Sequence, residues 1–246
     1  MQKLGRPYGK YILLGIDAAF AIASLTRQHL GSIFDEVLLS ISRDDGYAEN
    51  FQYIKLAAII GLLGFCAISE RSTAVGGWAV IFSILLLDDR LAIHERVGEK
   101  LAEWLSFSDM FNLRSIDFGE MMVFATWGII AVVILAVTYR HNRSTVDKQI
   151  FKGLFLSLVG LAIFGGFFDM LHIAVKNSIG LSLLGEHLFE ILEDGGEMVI
   201  VSLALYFIYQ IAVDILAKHK ELARHQELAK RQELVKHPEK VHSEIV

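Results

Sequence analysis

The chain has 246 residues, of which 54% are hydrophobic, with a mean hydropathy of +0.47 and a formal net charge of -5. So apolar a composition excludes an ordinary soluble domain, and the mild acidity carries no nucleic-acid signature. The single cysteine, Cys66, excludes a disulfide framework.

Apolar runs recur at the length a helix needs to cross roughly 30 Å of hydrocarbon. The period-two alternation of a barrel is absent, which leaves helices as the spanning structure. The sequence therefore predicts an all-α polytopic membrane protein with about six transmembrane helices. Its spans fall near residues 8–25, 53–68, 74–93, 120–139, 153–175 and 188–216, inside a membrane domain of residues 1–217. The third to sixth spans are expected to form a four-helix bundle, and two amphipathic interfacial helices are expected on the outer side.

In chain order, Lys3, Arg6 and Lys10 precede the first span and predict a cytoplasmic N-terminus. Asp17 interrupts that span, which favours a retained helix over a cleaved signal. Residues 32–41 repeat Ile33, Phe34, Val37, Leu38 and Ile41 at helical spacing, the pattern of an interfacial amphipathic helix. Arg43-Asp44-Asp45-Gly46 reads as a turn before the second span. The third span carries Gly76-Gly77, and its uninterrupted apolar part ends at Leu87, about 22 Å from Thr73 at 1.5 Å per residue. That is shorter than the hydrocarbon, so Asp88 and Asp89 are expected at or just inside the outer boundary. His94 and Glu95 follow closely.

Val97, Leu101, Trp104 and Leu105 form the second amphipathic segment, and Glu120 stands at the entrance of the fourth span. Arg140, His141, Arg143, Lys148 and Lys152 then make the clearest positive-inside cluster, which fixes the expected orientation in the cell membrane with both termini cytoplasmic. The fifth span contains Gly165-Gly166 and ends in Asp169 and His172. The sixth opens with the acidic stripe Glu186, His187, Glu190, Glu193, Asp194 and Glu197, which share one side of a helix. Residues 218–246 read as a charged cytoplasmic helix or tail. The Gly-Gly pairs allow close helix approach and with it a homo-oligomer.

The topology, assigned from basic residues, gathers acids and histidines from four spans into one thin layer. Its candidate metal ligands are Asp88, His94, Glu95, Glu120, Asp169, His172, His187, Glu190, Glu193, Asp194 and Glu197. Carboxylates and imidazoles on facing helices are the donors of a dinuclear transition-metal site in a bundle, where acids bridge two ions. Asp169-x-x-His172 and His187-x-x-Glu190 have the spacing that points two ligands at one ion. In the soluble di-iron bundles the motif is Glu-x-x-His twice; here one acid is Asp and the other motif is reversed, so the ligand logic is similar without homology. A mononuclear zinc site using His94, His172 and His187 is the alternative within the same class.

The sequence thus supports a membrane metalloenzyme, a hydrolase or oxidoreductase with zinc or iron/manganese, acting on a lipid or another membrane-soluble substrate. A divalent-cation or proton transporter using the same acids is the second expectation. A sensory or structural membrane protein with a Ca²⁺-binding acidic rim is the third.

Overall fold

A computed structural model describes residues 8–27, 37–110, 112–140 and 145–236, with the side chains of 233–236 left undescribed. The described residues are helical with no strand, apart from an isolated bridge between Met110 and Leu113. The helices are α1 (Tyr8–Leu25), α2 (Tyr47–Ser69), α3 (Thr73–Arg90), α4 (Ile93–Leu105), α5 (Ser115–Tyr139), α6 (Thr145–Leu161), a π segment (Ala162–Phe168), α7 (Asp169–Ile179) and α8 (Leu183–Lys236).

Five helical stretches are long and apolar enough to cross a membrane: α1, α2, α5, Thr145–Ile179 and Leu183–Gln232. The third expected crossing, α3, closes on Asp88, Asp89 and Arg90 and is not among them. Most of the interfacial helix expected over residues 32–41 lies outside the described residues; its described end, from Val37 on, is a succession of turns. The second amphipathic segment is the helix α4, with Trp104 exposed on its surface.

The helices alternate in direction, and the apolar core fills one end of the bundle. Ile59, Leu63 and Cys66 of α2 pack there against Trp78 and Phe82 of α3, Leu135 of α5, Leu154 of α6 and Ile208 of α8. The packing places α2 at the centre beside α3 and α8, so the bundle holds more than the last four long helices. At this core end the chain turns from α2 into α3 through Arg71, whose φ is 51°. Ser72 then caps α3 by accepting from the Val75 N–H at 3.2 Å while its hydroxyl donates to buried Asp147 of α6 at 2.6 Å. Ser72→Ala is expected to destabilise the fold by about 1 kcal/mol through the lost cap, read as a lower unfolding midpoint in detergent. An unchanged midpoint would show the cap to be redundant.

Close helix approach is met inside the chain at the glycines that the sequence flags. A Cβ at Gly77 would stand 2.7 Å from the Thr138 hydroxyl of α5, and one at Gly165 would collide with the Glu197 carboxylate of α8. Gly166 faces open space. The helix α8 runs unbroken for 54 residues, carrying the expected charged segment from Lys218 outward as its own continuation. Lys218 reaches back to Glu70 at 3.4 Å, beside the turn that ends α2.

Candidate functional site

The opposite end of the bundle is polar because four chain turns deliver acids there. Ala92, in the left-handed region at φ 46°, swings the chain out of α3 so that His94 folds back on Asp88. The His94 Nδ1 lies 2.9 Å from Asp88 Oδ2, and Trp127 Nε1 of α5 donates to Asp88 Oδ1 at 3.0 Å. Asp88 is buried, so both its oxygens are used where an unpaired charge would be costly. The His94 ring stacks on Phe124 with centroids 4.8 Å apart. Burial opposes a charge on this imidazole, but the bond to Asp88 and the nearby acids outweigh it and hold His94 above its ordinary value.

The π segment sets the second group. Its i→i+5 winding rotates the following helix relative to α6, a device common where a side chain has to be re-aimed. It delivers Asp169 toward α8, where the Asp169 and Glu193 carboxyls come within hydrogen-bonding range of each other. His172 places Nδ1 3.4 Å from Glu193 Oε2 and stacks on Phe189, while its Nε2 is buried and unpaired. Two carboxyls in contact need a proton or a cation between them.

The third group lines a cavity of about 110 Å³ between the start of α2, the end of α3 and α8. Asp89, Asp194 and Glu197 reach it, together with Glu49 and Gln52 of α2. Gln52 Nε2 donates to Glu197 Oε2 at 3.3 Å. One turn further toward the core, Lys55 forms a buried ion pair with Asp17 of α1 at 2.9 Å. Its Nζ also donates to the Met198 carbonyl at 2.9 Å and to Ser202 at 3.1 Å.

Asp88, His94, Glu120, Asp169, His172, Glu193, Asp194 and Glu197 therefore occupy one layer. Glu120 lies within electrostatic reach of His94 and Asp169, and Glu197 of Asp89, Glu193, Asp169 and His94. Glu95 is mostly exposed and meets only the His94 Nε2 at 3.9 Å. His187 bonds to Glu190 along their own helix at 3.1 Å, so that motif closes on itself. His172 pairs with Glu193 across helices at 3.4 Å. Among the described residues, no three His, Cys, Asp or Glu side chains are grouped closely enough to hold a metal ion as they stand.

Sequence reasoning passed over Glu49, Gln52 and Lys55. A lysine inside an apolar run was the available signal for Lys55, since such a charge needs a buried partner. Asp117, in the first turn of α5, is fully buried and held by Arg114 through the backbone N–H at 2.7 Å and the guanidinium at 2.6 Å.

Fold and site together define an all-α protein of membrane-length helices with a partly buried group of acids and histidines at one end. The chain belongs to the family described as a domain of unknown function, DUF8692, which it matches over residues 13–212. No curated protein and no solved structure matches it.

Proposed function

We propose that this protein is an integral membrane metalloenzyme whose centre lies in the acid and histidine layer at the outer membrane boundary. The observation that carries the reading is His172, whose Nδ1 lies 3.4 Å from Glu193 Oε2 and whose Nε2 is buried with no partner among the described residues. An imidazole whose Nδ1 faces a carboxylate is oriented to offer Nε2 to a metal, the usual arrangement around histidine ligands. Asp169, His172 and Glu193 are the ligands in this reading, with Glu120 and His94 facing them and Asp88 orienting His94. Because these donors are not gathered around one point, an ion would draw them in by side-chain rotation. Glu190, Asp194 and Glu197 complete the negative surroundings, while Glu95 and His187 stand apart.

Zinc, iron or manganese suits mixed imidazole and carboxylate donors and would supply Lewis acidity or an activated water. A layer at membrane depth selects a lipid or another membrane-soluble substrate. The basic residues Arg140, Lys148 and Lys152, at the core end, support a cytoplasmic location for both termini. The test is elemental analysis of protein purified without added metal. Stoichiometric zinc, iron or manganese is expected, lost in His172→Ala and Glu193→Gln. Absence of all three metals from folded protein would overturn the reading.

One observation favours a second reading, cation or proton transport: the polar chain runs inward from Glu197 through Gln52 to Lys55 and Asp17. It ranks below the first because Ile59, Leu63 and Phe82 close the bundle beyond Lys55. Ion flux in liposomes that is abolished by Asp88→Asn would raise it to first place.

A further inference from the structure

The cavity between α2, α3 and α8 is lined by carboxylates and an amide and by no imidazole or thiol, unlike the histidine-bearing group beside it. Glu197, Asp194, Asp89 and Gln52 reach its wall, with Glu49 and Asp44 nearer the mouth. Glu49 is already engaged, accepting from the Tyr53 hydroxyl and from the Asp45 N–H. Acids alone would mean little, because a wet helix end collects them. The amide of Gln52 is the independent sign.

Gln52 is only 7% exposed, and its Nε2 is fixed on Glu197 Oε2. That bond leaves Oε1 buried beside the cavity, accepting from none of the described residues. A buried amide oxygen needs a positive partner, and so do the carboxylates around it. A neutral donor would satisfy the amide and leave the charges unbalanced. A cation satisfies both, with the amide oxygen and carboxylate oxygens as direct ligands.

We infer that this cavity is a binding site for a hard divalent cation of the Ca²⁺ type, with Gln52 Oε1 and, drawn in by side-chain rotation, Glu197, Asp194 and Asp89 as its ligands. With no imidazole or thiolate among its lining residues, the cavity disfavours the softer transition metals. About 110 Å³ leaves room for an ion that retains part of its water shell, as Ca²⁺ with six to eight oxygens commonly does. Arg43 stands at the mouth as the chain's own opposing charge. Its guanidinium competes with an entering cation and tunes the affinity downward. The inference rests in part on the proposed metal centre, since Asp194 and Glu197 belong to the same layer, but its key ligand, Gln52, lies outside that centre.

The test is calorimetric titration of CaCl₂ into chelator-treated full-length protein in phosphatidylcholine nanodiscs. Saturable binding is expected, weakened roughly tenfold or more in Gln52→Leu and in Glu197→Gln. Gln52→Glu, which keeps an oxygen in place, is expected to retain binding. Arg43→Gln is expected to tighten it. No saturable Ca²⁺ binding by the unsubstituted chain overturns the inference, as does equal affinity in Gln52→Leu. Should Gln52→Leu fail to fold, failure of Arg43→Gln to tighten binding overturns it instead. Zinc, iron and manganese content measured before chelation separates the two readings: their absence with Ca²⁺ binding intact removes the enzyme centre alone, and the reverse result removes this site alone.

Discussion

Replacing Lys55 by methionine is expected to cost about 3 to 5 kcal/mol of stability, the usual penalty for removing one member of a buried ion pair. The pair is almost fully enclosed, at 1% and 3% side-chain exposure, in a helix apolar enough to lie in lipid. Asp17 Oδ2 already lacks a partner, so loss of the ammonium strips that carboxylate of its one cation. The Met198 carbonyl and the Ser202 hydroxyl lose their donor at the same time. Asp17→Leu combined with Lys55→Met removes both charges and is expected to recover most of the loss, because an apolar pair of similar volume is often as stable as the ions it replaces. Thermal unfolding in detergent, followed by circular dichroism, reads both effects. If the single and double variants unfold together, the pair is not what holds α1 to α2 and α8. The loss should also reach the polar layer, since Lys55 grips α8 at Met198, the residue next to Glu197.

The pair shows where sequence reading stops. Helices announce themselves through local composition, and the membrane-length helices Tyr8–Leu25, Tyr47–Ser69 and Ser115–Tyr139 follow from runs of apolar residues. The gathering of acids at one end is equally legible, because antiparallel neighbours bring the end of one span beside the start of the next. Which side chain meets which is a matter of rotation and depth, and neither is written in local spacing. Local spacing names no partner for Asp17, because Lys55 sits 38 positions away on another helix. Gly165 signalled a close approach, yet nothing near it in the sequence names Glu197 as the group that fits there. The π segment is the sharpest case. Residues 153–175 read as one uniform span, and the extra residue per turn around Gly165-Gly166 changes the angle at which Asp169 and His172 leave it. This rotation carries His172 to Glu193 across the helix interface, a partner 21 positions away that local spacing does not name.

Gly119→Ala is expected to separate α4 from α5 and to destabilise the protein by roughly 1 to 3 kcal/mol, the range for overpacking a tight contact. Gly98 and Gly119 face each other backbone to backbone. A Cβ on Gly119 would collide with the Gly98 carbonyl, and one on Gly98 would stand 2.7 Å from the Glu120 nitrogen. A side chain can rotate away from such a clash, but a main chain cannot, so the helix itself has to move. Opposing this is the better helix propensity of alanine, worth at most about 1 kcal/mol. Gly128→Ala on the same helix isolates that gain, since a Cβ there meets nothing within 4 Å, and it is expected to be neutral or slightly stabilising. Chemical denaturation of the two variants side by side decides the matter, and equal midpoints would refute the close contact. The displacement has a direction that matters for function. His94 is held by Asp88 of α3 on one side and by Phe124 of α5 on the other, and α4 carries it between them. An α4 pushed off α5 draws the imidazole away from Glu120, so Gly119→Ala should weaken the metal retention proposed for the layer while leaving every acid in it chemically unaltered.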